Sequence, residues 1–224
     1  MATQPKIAQA IADCIAAYSE IELNLGLALS VILRADIKVT MAMYAKVENR
    51  SAQGRMIRAA IEASDITENH KDFFYVILNK LVSPCMKDRD KIAHWPWGYS
   101  PDLPDALLLF EPIGELEQNL ALIHEGHNRI RDISDLPYLN LDHVFVVKEP
   151  DLLRLVKRLR EAERYLRNLW MILHPRLPEL SPQMRAEMLR QLSATPQIRE
   201  GLRQLREQRK SNPRTHPPGP ADLS

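Results

Sequence analysis

The chain has 224 residues, and its 30 Lys and Arg against 29 Asp and Glu give a formal net charge of +1. This balance argues against a wholly basic nucleic-acid coat protein and against an acidic disordered chain. The length suits one sizeable domain, alone or with an appendage, and the low number of glycines, seven, favours helices over a glycine-rich β architecture.

The charge is unevenly distributed along the chain. Residues 1–150 hold 15 Lys and Arg against 21 Asp and Glu, a net charge of −6. Residues 151–224 hold 15 against 8, a net charge of +7. The sequence therefore predicts an acidic body followed by a basic end, and the overall neutrality does not exclude RNA as a partner.

The first long helix is predicted over about residues 6–33. Side chains recur there at spacings of three and four, which places them on one helical face. Glu22 is the one carboxylate on this otherwise apolar or amphipathic face. Two shorter helices are predicted at about residues 38–48 and 51–63. The members of the long face are Ile7, Ile11, Cys14, Tyr18, Glu22, Leu25, Leu29 and Ile32.

A fourth helix is predicted to begin near Lys71, and Arg89 interrupts its apolar face. A lone buried charge is costly, so Glu22 and Arg89 both need partners, and each is the other's simplest candidate. Taken alone, such a pair is most simply interpreted as a structural ion pair that fixes helix register. The face comprises Phe74, Leu78, Leu81, Cys85, Arg89 and Ile92.

Two prolines punctuate this fourth helix. Pro84 predicts either a kink or a new helix that Ser83 caps, with the proline in its first position. Pro96 predicts an end near residues 94–95, because the residue before a proline disfavours helical conformation.

The second half of the chain is predicted to mix strands, helices and a disordered end. Ala106–Glu111 and His143–Lys148 are typical of short strands that pair with each other. Weak helical character is predicted between these strands, at 115–123. Helices are predicted at 151–173, 181–192 and 195–209, and disorder at 211–224.

These elements predict a mainly α protein. Its helical domain is expected to span residues 1–174, with a β-hairpin insertion at 99–150. A basic helical extension follows at 175–210 and a disordered tail at 211–224. Cys14 and Cys85 lie on apolar faces and are expected in the core, with no disulfide framework.

The same sequence predicts a soluble cytoplasmic protein without a membrane span. The N-terminus lacks the basic and apolar regions of a signal peptide. The longest strongly apolar run, residues 25–33, falls far short of the about 20 residues that cross a bilayer.

The end of the fourth helix carries three polar side chains that could take part in catalysis: Arg89, Asp90 and His94. Histidine donates or accepts protons near neutrality, and arginine holds a phosphate through parallel hydrogen bonds. An RNA substrate supplies its own nucleophile, the 2′-hydroxyl, so no metal or other cofactor is needed. Arg89 and His94 are about 140° apart on an ideal helix, so either the long arginine side chain or a distortion of the turn before Pro96 has to bring them together. Another interpretation of His94 is a helix-end histidine that contacts the last carbonyls.

The segment RDKIAH resembles the R-x4-6-H motif of the HEPN superfamily, whose usual form is close to RNxxAH followed by Gly and Trp. Arg89, His94, Trp97 and Gly98 follow one another here, with Trp before Gly. The upstream segment AAYSEIELNLGLALSVIL resembles the family's first helix, and Tyr18, Ser19, Ile21 and Glu22 match it. The resemblance covers roughly residues 5–97, with the helix at 151–173 as a later bundle member.

This resemblance implies an up-and-down bundle of four to five helices that forms a homodimer. It also implies metal-independent endoribonuclease activity. Many HEPN proteins belong to toxin–antitoxin, abortive-infection or RNA-processing systems, so the expected partners beside RNA are an antitoxin or another protein. Arg89 and His94 would be the catalytic pair, meeting their copies across the dimer. Asp90 would occupy the position that is often Asn, and Glu22 would support Arg89. Some HEPN members are inactive binding modules, so the alternative is a non-catalytic helical interaction or RNA-binding module.

Further candidates are weaker. His124 and His127 could hold a metal, but a third ligand is not evident and a polar loop is the simpler interpretation. Trp95 and Trp97 could stack on bases, although packing against the sheet or a dimer mate is the commoner role. A basic stripe on the last helix could contact RNA or an acidic partner, although interspersed Glu200 and Glu207 suggest a solvated face. The stripe comprises Arg199, Arg203, Arg206 and Lys210.

Overall fold

The computed structural model describes residues 4–112, 141–174, 177 and 180–211. Within them the chain is mainly helical with a small antiparallel sheet of three strands, which confirms the mainly α prediction. The predicted helical character at 115–123, the pair His124 and His127, and residues 212–224 of the predicted tail lie outside the described residues.

The helices begin where short polar side chains cap them. Side-chain oxygens of Asp36, Asn49, Thr67 and Ser181 accept hydrogen bonds from backbone N–H groups in the first turns of four helices. The helices are α1 (Pro5–Leu33), α2 (Ile37–Lys46), α3 (Arg50–Ala63), α4 (Glu68–Val76), α5 (Ser83–His94), α6 (Glu149–Leu173), α7 (Pro182–Ala194) and α8 (Pro196–Ser211).

Pro84 is accommodated by a π-helical segment, Ile77–Val82, that joins α4 to α5. Ser83 has helical dihedrals (φ −56°, ψ −45°), and its N–H bonds to the carbonyl of Leu78, five residues earlier. An N-cap residue has extended dihedrals, so Ser83 does not cap a new helix. Proline lacks an N–H and its ring collides with the carbonyl four residues before it. The wider π turn accommodates it while the helix continues.

The sheet has the strand order β1 (Trp97–Gly98), β2 (Ala106–Phe110) and β3 (Val144–Lys148), with both pairs antiparallel. The predicted pairing of the second and third strands is confirmed, with Leu108 opposite Val146. Strand β1 was not predicted, because two residues are too few to show the alternation of a strand. It pairs Trp97 with Leu109.

The chain divides into two compact units. The sheet unit comprises residues 1–15 and 87–156, and the helical unit comprises residues 16–86 and 157–224. In the sheet unit the first turns of α1 pack with the start of α6. Cys14 lies 3.6 Å from the carbonyl of Leu152, and its burial, with the charge of Asp13, raises the pKa of the thiol to about 11. Both Cys14 and Cys85 are buried, as the sequence predicts.

In the helical unit, α8 packs against α4. The α-carbon of Gly201 lies against Val76, and Leu202 and Leu205 are buried. Arg209 also forms a 2.7 Å ion pair with the buried carboxylate of Asp72. Burial raises the pKa of Asp72, and this effect is larger than the opposing effect of Arg209. The predicted basic extension thus includes a helix with its own buried contacts.

Helix α1 is long and apolar enough to cross a bilayer, judged by length and composition alone. Its most apolar 18-residue window has a mean hydropathy of 1.4, and 61% of that window is buried within the protein. The core helix of a soluble protein meets the same criterion, so this is weak evidence for a membrane span.

Replacing Gly201 with Ala tests the contact between α8 and α4. A Cβ at this position would meet Val76 Cγ1 at 2.5 Å, and a β-branched side chain in a helix has little rotamer freedom to yield. Overpacking costs about 1–3 kcal/mol and outweighs the helix propensity gained, about 1 kcal/mol. We therefore expect chemical denaturation to show a lower free energy of unfolding for Gly201→Ala, whereas the exposed Gln208→Ala on the same helix changes it by less than about 0.5 kcal/mol.

Candidate active site

The last turns of α5 bring together the three polar groups that the sequence singled out. Arg89 Nη1 lies 3.3 Å from His94 Nε2 and 3.1 Å from Asp90 Oδ1. The predicted meeting of Arg89 and His94 thus occurs within one chain, although the two residues are about 140° apart on an ideal helix. The extended arginine side chain spans that separation.

Burial differs sharply between the two ends of this hydrogen bond. The Arg89 side chain is 13% exposed and that of Asp90 is 40% exposed, whereas His94 is an exposed residue. Because a guanidinium only donates, His94 Nε2 accepts, and the proton of the neutral ring is assigned to Nδ1. The site therefore presents an accessible imidazole beside a cation that protein packing and a carboxylate hold in place.

Trp97 fixes the backbone just beyond His94. Its indole Nε1 donates a 2.9 Å hydrogen bond to the carbonyl of Ile92, one of the carbonyls that a helix C-terminus leaves without an intrahelical donor. The Trp97 side chain is nevertheless 43% exposed. An anchored, accessible ring next to His94 is suited to stacking on a base.

Trp95 packs against the sheet, which is the commoner role considered above. Its ring lies 5.2 Å from that of Phe145. The Lys91 ammonium stands 5.2 Å from the Trp95 ring centre and 4.6 Å from that of Phe145, both cation–π distances. The sequence analysis did not single out Lys91, although its position three residues before His94 places the two on neighbouring positions of the helix surface.

Glu22 lies in the helical unit, where its carboxylate is 3.8 Å from Arg50 Nε. Its side chain is about one-third exposed (34%), so Glu22 is less buried than the apolar face around it suggested. The ion pair described for Arg89 is with Asp90. The support of Arg89 by Glu22 stays a prediction.

The basic stripe of α8 is exposed, with Arg199, Arg203 and Arg206 all on the surface. Arg203 bonds to both Glu200 oxygens at 2.8 and 2.6 Å and to Glu207 at 2.7 Å. The hydrogen bond from Arg203 is the largest influence that lowers the pKa of Glu200, to about 2. These pairs agree with the solvated-face interpretation for Arg203.

Among the described residues, no group of three His, Cys, Asp or Glu side chains is placed to hold one metal ion. No family model, curated protein or solved structure matches this chain. The resemblance to HEPN proteins therefore rests on the sequence features given above.

Replacing Trp97 with Phe keeps the apolar ring but removes the hydrogen bond to Ile92. We expect the free energy of unfolding to fall by about 1 kcal/mol, and the amides of the last turn of α5 to exchange faster with solvent. Denaturation and amide hydrogen exchange measure the two effects. Tyr99→Phe is the matched control, because Tyr99 is an exposed aromatic residue two positions away. Equal protection of α5 in Trp97→Phe and wild type would contradict the anchoring role.

Proposed function

We propose that this protein is a metal-independent endoribonuclease of the HEPN type, a homodimeric helical bundle with one composite site. The observation that supports it is the 3.3 Å contact between the exposed imidazole of His94 and the largely buried guanidinium of Arg89. A proton-transfer group beside a fixed cation is suited to the cleavage of a phosphodiester.

In the proposed reaction the RNA supplies the nucleophile. When Arg89 Nη1 of one protomer turns from His94 Nε2 to the phosphate, this imidazole nitrogen takes the proton from the 2′-hydroxyl. The 2′-oxygen forms a bond to phosphorus as the bond to the 5′-oxygen breaks. His94 of the partner subunit, which starts as the protonated imidazolium, donates a proton to the departing 5′-oxygen. The products are a 2′,3′-cyclic phosphate and a 5′-hydroxyl end, so atoms and protons balance without water or metal.

Arg89 would stabilise the negative charge that develops on the phosphoryl oxygens. Asp90 holds Arg89 Nη1 at 3.1 Å, which restricts the guanidinium before substrate arrives. A preorganised donor stabilises a developing charge at little reorganisation cost. Asp90 is thus a positioning residue in this proposal, in the place where many HEPN proteins carry Asn.

Residues 1–150, which include the proposed site, carry a net charge of −6, which on its own repels RNA. The local cations Arg89 and Lys91 and the exposed ring of Trp97 favour RNA at the end of α5. The exposed Arg199 and Arg206 on α8 are a second proposed source of attraction.

A non-catalytic helical module that binds RNA or a protein is the second candidate. The observation in its favour is that Arg89 is largely buried and paired with a carboxylate, as a structural arginine would be. Under this alternative Arg89→Ala mainly unfolds the protein, and His94→Ala has no effect.

Replacing His94 with Ala tests catalysis directly. Loss of a general acid–base group costs about 10²–10⁴-fold in rate, so we expect RNA cleavage to fall at least 100-fold while circular dichroism and Tm stay close to wild type. Cleavage by the wild type should persist in excess EDTA and leave 2′,3′-cyclic phosphate ends, which mass spectrometry identifies.

His70→Gln is the control for this experiment, because His70 lies on α4 in the helical unit. It should cleave RNA at the wild-type rate. Undiminished cleavage by EDTA-treated, rigorously purified His94→Ala protein would contradict the catalytic role of His94. A wild type that binds RNA without cleaving it would favour the non-catalytic module.

The composite site predicts that activity depends on dimerisation. Specific activity per protomer should be constant at high protein concentration and fall on dilution through the dissociation constant of the dimer, which sedimentation equilibrium measures independently. A specific activity that is independent of concentration across that range would show that one protomer suffices.

A further inference from the structure

The helical unit contains an open pocket that the proposed ribonuclease chemistry does not use. It contains about 430 Å³ of space free of protein atoms, a figure that includes the open solvent at its mouth. Its walls come from α1, α2, α3, the π-helical segment and the start of α5. Much of the lining is apolar or aromatic, including Tyr18, Leu78 and Val82.

Two arginines of α3, Arg50 and Arg58, line this pocket, and its lining contains no carboxylate among the residues that the structure describes. The Arg50 guanidinium lies 5.0 Å from the ring centre of Tyr18, and Glu22 is 3.8 Å from its Nε. Arg58 Nη2 instead donates to the neutral amide oxygen of Asn79. The pocket therefore has a positive lining, and the hydrogen bond of Arg58 does not neutralise its charge.

Burial disfavours the charged form of the Arg58 guanidinium. Burial therefore lowers the pKa of Arg58, and the smaller influence of Tyr75 raises it. A partly desolvated cation gains more from an anionic partner than an exposed one does, because the surrounding medium screens the attraction less.

The π-helical segment supplies one wall of the pocket and also the partner of Arg58. Leu78 and Val82 of this segment line the pocket, as does the adjacent Ser83, while Asn79 receives the hydrogen bond of Arg58. Short π segments within α-helices are frequent at functional sites. Here Pro84 accounts for the segment physically, so the wall follows from one residue of the sequence.

We propose that this pocket binds a small organic anion, a carboxylate or phosphate monoester with an apolar body. Its head group lies between Arg50 and Arg58, and its body contacts Leu78, Val82 and Tyr18. Arginine donors suit both head groups, because carboxylate and phosphate each accept parallel hydrogen bonds. The pocket is lined by residues other than Arg89 and His94. Binding of an anion there does not depend on whether the protein cleaves RNA.

The test uses the full chain with three probes at matched ionic strength: phenyl phosphate, benzoate and the neutral benzyl alcohol. We expect at least one anionic probe to raise the Tm with increasing concentration and to shift the Arg58 Nε–Hε signal in NMR spectra. Benzyl alcohol should do neither. Binding of phenyl phosphate alone identifies a phosphate ester as the ligand class, and binding of benzoate alone identifies a carboxylate.

Arg58→Gln should raise the dissociation constant of the anionic probe at least about tenfold, because the probe loses one charge-assisted hydrogen bond. Arg55→Gln is the matched control, because Arg55 is exposed on the same helix and bonds to Ser51. The NMR titration of the wild type tests the site even where Arg58→Gln does not fold. Absence of binding by both anionic probes, equal binding of benzyl alcohol, or unchanged affinity in Arg58→Gln would overturn the proposal.

Discussion

The constraint on which much of this structure depends is one missing N–H group, that of Pro84. The chain passes from α4 to α5 without leaving helical dihedrals, so the proline has to be tolerated inside a helix. A π-helical turn at Ile77–Val82 provides that tolerance. The same turn supplies a wall of the arginine-lined pocket, and the helix that follows it carries Arg89 and His94.

The two candidate sites use arginine in different ways. Arg89 has a carboxylate neighbour, Asp90, and meets an exposed histidine, which suits chemistry on a substrate that arrives from solvent. Arg58 bonds to a neutral amide and faces a largely apolar pocket, which suits retention of a small anion. Charge partners and exposure, rather than the residue type, distinguish the proposed reaction site from the proposed binding site.

Most helices could be predicted from apolar periodicity and from the residues that cap them. Ser181, which caps α7, is the residue at which the sequence places the start of that helix, and Asn49 caps α3 two residues before its predicted start. The pairing of Ala106–Phe110 with Val144–Lys148 also followed from composition. Strand β1 did not, because two residues carry no periodic signal, and the π turn did not, because a proline within a helix is equally compatible with a kink or a new cap.

The sequence by itself determined the helical class, the buried faces and the candidate pair Arg89 and His94, because these depend on spacing along one chain segment. The tertiary structure decided the partners. It placed Glu22 beside Arg50, paired Arg203 with two glutamates and gathered Arg50 and Arg58 around one pocket. Such contacts join residues of different helices, or select among rotamers of long side chains, and local periodicity contains no information about either choice.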